Sequence, residues 1–562
     1  MPEIVVRTVD ETATAVLAAA GCDPRLARLF AARGLARAEE LATTLQSLVA
    51  PERLSHIDEA ARLLADCIER GERLLIVADY DADGATACAV GVKALRAMGA
   101  KVEYLVPNRF EHGYGLTPEI VREAAERKPD LLITVDNGIA AVEGIDEAAR
   151  LGMRVLVTDH HLPGARLPAA ACIVNPNQAG CGFPSKNLAG VGVIFYVMMA
   201  LRAELRRRGA FGSRPEPNLA ELLDLVALGT VADVVRLDAN NRILVSQGLA
   251  RLRSGKASPG VAALIEVAGR SVRQATAYDF AFVAGPRLNA AGRLDDMSLG
   301  IECLIAGDPA RALELAGKLD RLNRERRVIE EEMRDSALAM VEEIRADGAY
   351  TLAIHRPEWH AGVVGLLASR IKDRLHRPVF AFAADGADGL KGSGRSIAGF
   401  HLRDALDLVD KRRPGLLERF GGHAAAAGVT LRAAGLDDFR AAFEAVAREA
   451  LTPADFEERI ETDGALEATD LTRDFATLLR GQVWGQGFPE PRFTGRFRVE
   501  TQRVVGEKHL KLSLSLAGRR LEAIRFGSPD PLPASIDAVY RLDVNEYQGS
   551  STLQLVIEHW RP

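Results

Sequence analysis

The chain has 562 residues, 48% of them hydrophobic and 26% charged, with 71 basic against 77 acidic side chains. This is the profile of a globular protein of three or four domains, and its mild acidity neither demands nor forbids a polyanionic partner, because only the local field of a groove steers nucleic acid. No apolar run approaches the roughly 18 residues of a membrane span and "MPEIVVRTVD" lacks the zones of a signal peptide, so a cytoplasmic location without membrane contact is expected.

Six cysteines (Cys22, Cys67, Cys88, Cys172, Cys181, Cys303) show no CxxC spacing. They read as buried thiols rather than as zinc ligands or a disulfide framework.

Residues 1–50 read as a helical extension. From Arg73 to Asn175 the apolar runs "LLIVAD", "VEYLVP", "LLITVD", "VLVTDHH" and "CIVNP" alternate with amphipathic stretches such as "TPEIVREAAERK". Near-continuous apolar strands separated by helices predict a parallel sheet covered on both faces, with ligands bound at the carboxyl ends of its strands. More helices follow, and then a charged segment from Pro309 to Gly348 that predicts a long exposed helix of roughly 50 Å, a spacer between two lobes. Beyond it "YTLAIH", "PVFAFA" and "GRSIAGF" restart an α/β pattern to about Ala450. The last hundred residues alternate apolar and polar side chains, which predicts antiparallel strands closing into a small barrel of the OB type.

Acid or imidazole ends three of the apolar runs: Asp79, Asp81 and Asp83, then Asp136, then Asp159, His160 and His161. Asp233 follows a further helix. An aspartate after a strand is also the ordinary cap of the next helix. Carboxylates gathered along one sheet edge repel, however, unless protons or cations hold them. An oxygen-rich set with one or two imidazoles suits Mn²⁺ or Mg²⁺ better than Zn²⁺, and two such ions would promote phosphoester hydrolysis.

"DYDADG", "TVDNG", "TDHH" and "GTVADVV" resemble, in order, the four motifs of the DHH phosphoesterase superfamily. "PNRFEHGYGL", "FPSKNLAGVGV", "GPRLNAAGRLDDMS", "HRPEWHAGVVGLLASRI", "KGSGRS" and "FGGHAAAAG" are similar to the RecJ family of bacterial single-strand-specific 5′→3′ DNA exonucleases. The resemblance runs from about Leu41 to the C-terminus. It implies an α/β fold: a parallel-sheet DHH catalytic domain (51–305), a long connecting helix (306–346), a smaller α/β DHHA1 domain (347–452) and an OB-fold-like nucleic-acid-binding barrel (453–562).

The resemblance further implies two Mn²⁺ or Mg²⁺ ions held by Asp81, Asp83, Asp136, His160 and Asp233, with Asp136 bridging. His161 would meet the scissile phosphate or its metal, and Asp79 and Asp159 would orient the ligands. Some superfamily members carry histidine where this chain has Val77, which implies more water and fewer protein ligands at one ion. Arg109, Arg287, Ser393 and Arg395 resemble residues that hold the terminal 5′ phosphate, with Ser396, His423 and Asn289 as further phosphate contacts. Arg293 could equally anchor a loop, and Trp359 and His360 could simply pack the start of the next helix.

The glycines of "KGSGRS" and "FGGH" are expected to let a phosphate approach the backbone. A cleft between the lobes would admit a single strand and exclude a duplex. In the barrel, Arg503, Lys508, His509 and Lys511 near Phe493 and Phe497 either extend the strand's path or are plain solvated surface. The expected partners are single-stranded DNA and, from resemblance, a single-strand-binding protein and a RecQ-type helicase. Two rival functions stand beside the exonuclease: a DHH phosphoesterase acting on short oligonucleotides or small phosphoesters, and a non-catalytic single-strand-binding replication scaffold.

Overall fold

The computed structural model describes residues 2–108, 115–212, 214–344, 348–547 and 550–562. The chain divides into two compact units, Val6–Asp320 with Glu461–Pro562, and Met1–Val5 with Arg321–Ile460.

The larger unit is built on a five-stranded parallel sheet in the order Lys101–Leu105, Arg73–Ala78, Leu131–Val135, Arg154–Thr158, Cys172–Val174. Leu74–Ala78 and Leu131–Val135 are wholly buried, which is why these strands read as unbroken apolar runs. Leu75, Val77, Val155 and Val157 pack on Ile120, Val121 and Ile145 of the helices Pro118–Glu126 and Val142–Arg150. On the other face Ile76 meets the helix Ala82–Ala97, where Gly91 leaves no room for a side chain: a Cβ there would lie 2.9 Å from the Ile76 methyl.

The same unit holds the C-terminal domain, a closed barrel in the order Phe493–Val505, His509–Leu516, Arg519–Arg525, Ser550–Arg561, Ser535–Tyr547. Four of its pairings are antiparallel, and the closing one, Arg519–Arg525 with Ser550–Arg561, is parallel. The alternation that marks half-buried strands carries no sign of direction, so this parallel closure was not legible. Phe493 and Phe497 are each 1% exposed and fill the barrel interior. They offer no face to a nucleobase, which corrects their expected place on the strand's path.

The barrel is seated on the N-terminal helices by a buried ion pair. Arg33 donates to both carboxylate oxygens of Asp463 at 2.8 and 2.9 Å, and to the Leu29 and Pro489 carbonyls. Phe30, Trp484 and Phe488 stack beside it. The N-terminal extension is helical over Glu11–Ala19 and Pro24–Ala31, but it opens with a strand, Glu3–Val6, paired with Arg459–Thr462. That partner is distant in sequence and no local pattern reveals it.

The charged segment forms one helix, Pro309–Ile344, of 36 residues. It is not exposed on all sides: Ala312, Leu315, Ala316, Leu319 and Asp320 are buried in the larger unit, and Asn323, Arg326, Glu330, Met333 and Ala337 in the smaller. The spacing of three and four is that of a core-facing stripe. Polar members hid it; Arg326 and Arg370 share the Glu330 carboxylate at 2.7 and 2.8 Å.

The smaller unit carries a five-stranded sheet in the order Arg419–Gly422, Ala426–Arg432, Gly389–Arg395, Val379–Asp385, Leu352–His355, parallel only in its last pair. Phe380, Phe382, Phe439 and Phe443 form its aromatic core. Gly392 and Gly394 face these rings: a Cβ on either would lie 2.4 Å from Phe382 or Phe380. The glycines of "KGSGRS" thus make room for the core rather than for a phosphate, and the segment is a strand. Its alternate residues Lys391, Ser393 and Arg395 point to the opposite face.

All six cysteines are free thiols and five are buried. No helix among the described residues is long and apolar enough to cross a membrane.

Candidate metal centre

The loop "DYDADG" leaves the second strand of the parallel sheet and turns directly into the helix Ala82–Ala97. Asp81 caps that helix, its Oδ1 accepting the amides of Asp83 and Gly84 at 2.9 and 3.0 Å. Gly84 is required by contact, since a Cβ there would lie 2.5 Å from the Asp79 carbonyl oxygen. From outside, Asn289 Oδ1 accepts the Ala82 amide at 2.8 Å, and a Cβ on Gly292 would strike the Tyr80 carbonyl.

Asp136 follows the next strand with φ +63°, a left-handed conformation that Asp tolerates better than most residues. Asp233 ends the helix Leu223–Ala232, and Val234 beside it also has a positive φ, +61°, uncommon for a β-branched residue.

These segments converge. His160 Nε2 lies 3.1 Å from Asp136 Oδ1, 3.5 Å from Asp233 Oδ2 and 3.9 Å from Asp83 Oδ2. Three sets of side chains bring ligand atoms within 4.8 Å of one another: Asp83 with His160 and Asp233, Asp79 with Asp81 and Asp136, and Asp136 with His160 and His161. The sets share Asp136 and His160, the arrangement two neighbouring cations would require. Asp136 Oδ1 is buried and accepts no hydrogen bond among the described residues. A buried carboxylate oxygen in that condition fits a metal ligand.

Electrostatics agree. Burial, with Asp81 adding repulsion, lifts Asp83 to about 7, and burial with the other carboxylates raises Asp136 and Asp233 well above the ordinary range. Without cations the cluster would hold protons instead.

Asp159 plays another part. It is 1% exposed, and its carboxylate accepts the amides of Ile139, His160 and His161 and the His161 Nδ1–H at 2.7 Å. Burial pulls the His161 imidazole down, but Asp159, with Asp79 and Asp81, pushes it up to about 9. Burial works against the Asp159 charge, yet His161 and the amides hold that carboxyl below its ordinary value. By distance alone Asp79 belongs with Asp81 and Asp136, while its Oδ1 also accepts the Tyr80 amide at 2.8 Å.

Several positioning residues went unseen in the sequence. Asn175 and Asn177 donate to the His161 and His160 carbonyls at 2.9 and 2.6 Å. The helix Gly190–Arg207 aims its first amides at Asp83: Gly190 N–H meets Oδ2 at 2.7 Å and Val191 N–H meets Oδ1 at 2.9 Å. Gly229 leaves space for Asp83 and Thr86. In the sequence "FPSKNLAGVGV" carries only a resemblance, and a glycine opening a helix bears no mark of what its amide will hold.

The remaining site residues are dispersed. Arg109 lies outside the described residues. Arg287 is 6% exposed, its guanidinium paired with Asp320 at 2.8 Å and with the Val283 carbonyl at 2.7 Å. Asn289 uses its side-chain oxygen on Ala82 and therefore secures the metal loop instead of reaching a phosphate with that atom.

In the smaller unit Ser393 and Arg395 lie over the first turn of the helix Val364–Leu375, where a Cβ on Gly365 would sit 2.9 and 3.3 Å from them. Ser396 is buried and donates to the Phe400 carbonyl at 2.7 Å, so its hydroxyl locks a turn. His423 is exposed at the turn between two strands. Trp359 is buried in the core, and His360 Nδ1 accepts the Gly362 amide.

A carboxylate and imidazole cage at the carboxyl edge of a parallel sheet defines a metal-dependent phosphoesterase of the DHH class. The family models agree: DHH family, N-terminal domain, matches residues 73–230, the DHHA1 domain residues 347–449, and the RecJ OB domain residues 462–559. Among curated proteins, the single-stranded-DNA-specific exonuclease RecJ of Dickeya dadantii is 52% identical over 96% of both chains. That of Escherichia coli is 48% identical over 99% of this chain and 98% of its own. Among solved structures, RecJ of Thermus thermophilus in complex with Mn²⁺ superposes with a TM-score of 0.83 at 32% identity, covering 100% of this chain and 79% of that one. A second, exonuclease RecJ bound to manganese, gives 0.61 at 37% identity over 72% of this chain and 98% of its own. The chain belongs to the RecJ family.

Proposed function

We propose that this chain is a single-stranded-DNA-specific exonuclease that removes 5′ mononucleotides by two-metal hydrolysis in recombination and repair. The observation that carries the reading is the pair of ligand sets joined through Asp136. Asp81, Asp83, Asp136, His160 and Asp233 would hold Mn²⁺ or Mg²⁺, with the Asp79 carboxylate beside them. The ions would supply Lewis acidity toward the phosphate and an activated water.

The chain's own residues do the rest. Asp136 presents a buried Oδ1 that accepts no hydrogen bond among the described residues. Asp159 fixes the His161 ring through Nδ1, and the Nε2–H would donate to a phosphate oxygen. Water oxygen bonds to phosphorus as the P–O3′ bond breaks, so the released nucleotide keeps its own 5′ phosphate and the shortened strand gains a new one. Ser393 and Arg395, set at a helix N-terminus, suit that recurring phosphate. In the larger unit Arg287 would meet a phosphate only by exchanging Asp320 for it, and Arg109 and His423 enter the reading by resemblance alone.

The domain limits expected from the sequence, 51–305, 306–346, 347–452 and 453–562, belong to the same proposal. So do a cytoplasmic location and work beside a single-strand-binding protein and a RecQ-type helicase, which co-purification of the tagged protein would test. The exonuclease reading predicts 5′ mononucleotides from end-labelled single strands with Mn²⁺ or Mg²⁺. Digestion by Asp136→Ala at the full rate would sink it.

A further inference from the structure

The segment from Val272 to Leu294 joins two places already described in the larger unit. At its start Gln274 bonds Glu546 of the barrel beside a cavity of about 470 Å³ lined by Arg253, by Arg473 with its partner Asp474, and by Arg480 with its partner Glu546. Near its end Asn289 holds the metal loop. Between them Tyr278 and Phe282 are 52% and 60% exposed, with ring centroids 4.8 Å apart and planes tilted by 33°. Three large aromatic side chains are exposed among the described residues, and two of them stand here together.

The backbone explains how. Phe280–Ala284 is a π-helical turn, closed by the Gly285 amide on the Phe280 carbonyl. Such turns are rare and are frequently found at functional sites. This one points Phe280, Val283 and Ala284 into the core and leaves Tyr278 and Phe282 outward. It is also close to the metal ligands, since a Cβ on Gly285 would lie 3.2 Å from the Ala232 methyl, one residue before Asp233. Val234, on the other side of Asp233, is 61% exposed. The Arg270 guanidinium lies 5.9 Å from the Tyr278 ring.

We propose that Tyr278 and Phe282 form a stacking platform for nucleobases of the single strand on its way between the barrel and the metal centre. The inference rests on the exonuclease reading and adds where the bases, as opposed to the phosphates, are held. Paired exposed rings with arginines nearby match single-stranded nucleic acid, because every base offers a π-face and the arginines meet the backbone. An apolar peptide would use the rings but has no need of the cations.

The test is equilibrium binding of the full chain to a normal single strand and to an abasic strand of equal length. Tyr278→Ala/Phe282→Ala should weaken the normal strand about tenfold and leave the abasic strand unchanged. Tyr278→Phe/Phe282→Tyr should retain both affinities. Equal weakening on both strands, or none on either, overturns the platform, the latter leaving the rings to a protein partner. Wild-type protein that binds no single strand would overturn the exonuclease reading instead.

Discussion

Gly190 donates its amide to Asp83 Oδ2 at 2.7 Å, and a Cβ in its place would lie 2.6 Å from Asp136 Oδ1. One backbone position therefore orients one carboxylate and makes room for another from a different strand. Gly190→Ala should lower Mn²⁺ affinity about 10- to 100-fold, the usual cost of disturbing the groups behind a metal ligand. Titration by calorimetry measures it, with a melt in chelator to show that the fold survives. Unchanged affinity would mean that Asp136 has slack the packing does not show.

Asp159 holds His161 rather than the cations, so Asp159→Asn should act through the imidazole. The His161 pKa should fall from about 9 toward its ordinary 6.5, and turnover should drop about 10- to 100-fold with a smaller change in Mn²⁺ affinity. Imidazole NMR shifts and single-turnover rates read the two effects. Loss of metal binding equal to the loss of rate would reassign Asp159 to the ligands.

The buried acids couple the site to pH. Asp83 is lifted from 3.8 to about 7, and Asp136 and Asp233 rise as well, so the native metal-free site holds protons that the unfolded chain releases above about pH 4. The contribution of Asp83 to stability is full at low pH and is lost as pH rises through about 7, and those of Asp136 and Asp233 change in the same direction. Cations need the ionised forms, so added Mn²⁺ should raise Tm more at about pH 8 than at about pH 5.5 and release protons on binding. Calorimetry in two buffers of different ionisation enthalpy counts those protons. An equal rise of Tm at both pH values would contradict the protonated cage.

Arg33 and Asp463 are 1% and 2% exposed in their side chains. Removing Arg33 leaves the buried Asp463 carboxylate only the Arg492 amide at 3.0 Å and Arg7 at 3.5 Å, so Arg33→Met should cost about 3 kcal/mol in denaturant unfolding. Limited proteolysis around residues 461–492 would report loosening of the barrel's attachment. A loss below about 1 kcal/mol would show that water reaches the pair.

Ser393, Arg395 and Ser396 are near neighbours with different surroundings. Arg395→Ala should weaken strand binding and lower the slope of log affinity against log salt by about 1. Ser396→Ala should leave strand affinity unchanged, because that hydroxyl is spent on Phe400. The opposite pattern in anisotropy titrations would move the phosphate contact into the turn.

Much of this molecule was open to reading from the chain alone, for identifiable reasons. Strands buried on both faces must be apolar throughout, so the parallel sheet was visible as five runs, and each acidic cluster was visible because it stands where a run stops. The barrel showed through its alternation. The interior of the long helix did not, because Asp320, Asn323, Arg326 and Glu330 occupy its buried stripe and polar residues disguise burial.

The aspartates at the strand ends show where the division falls. Sequence by itself determined that charge would gather at the carboxyl ends of parallel strands, since strand direction and the two-residue period leave those side chains nowhere else to go. Only the tertiary structure decided which carboxylate faces which neighbour: Asp83 held by a helix that begins more than a hundred residues later, Asp136 opposite His160, and Asp79 within reach of the cations' ligands. Those are contacts across the fold. They depend on where glycines let backbones approach, and local patterning carries no record of that.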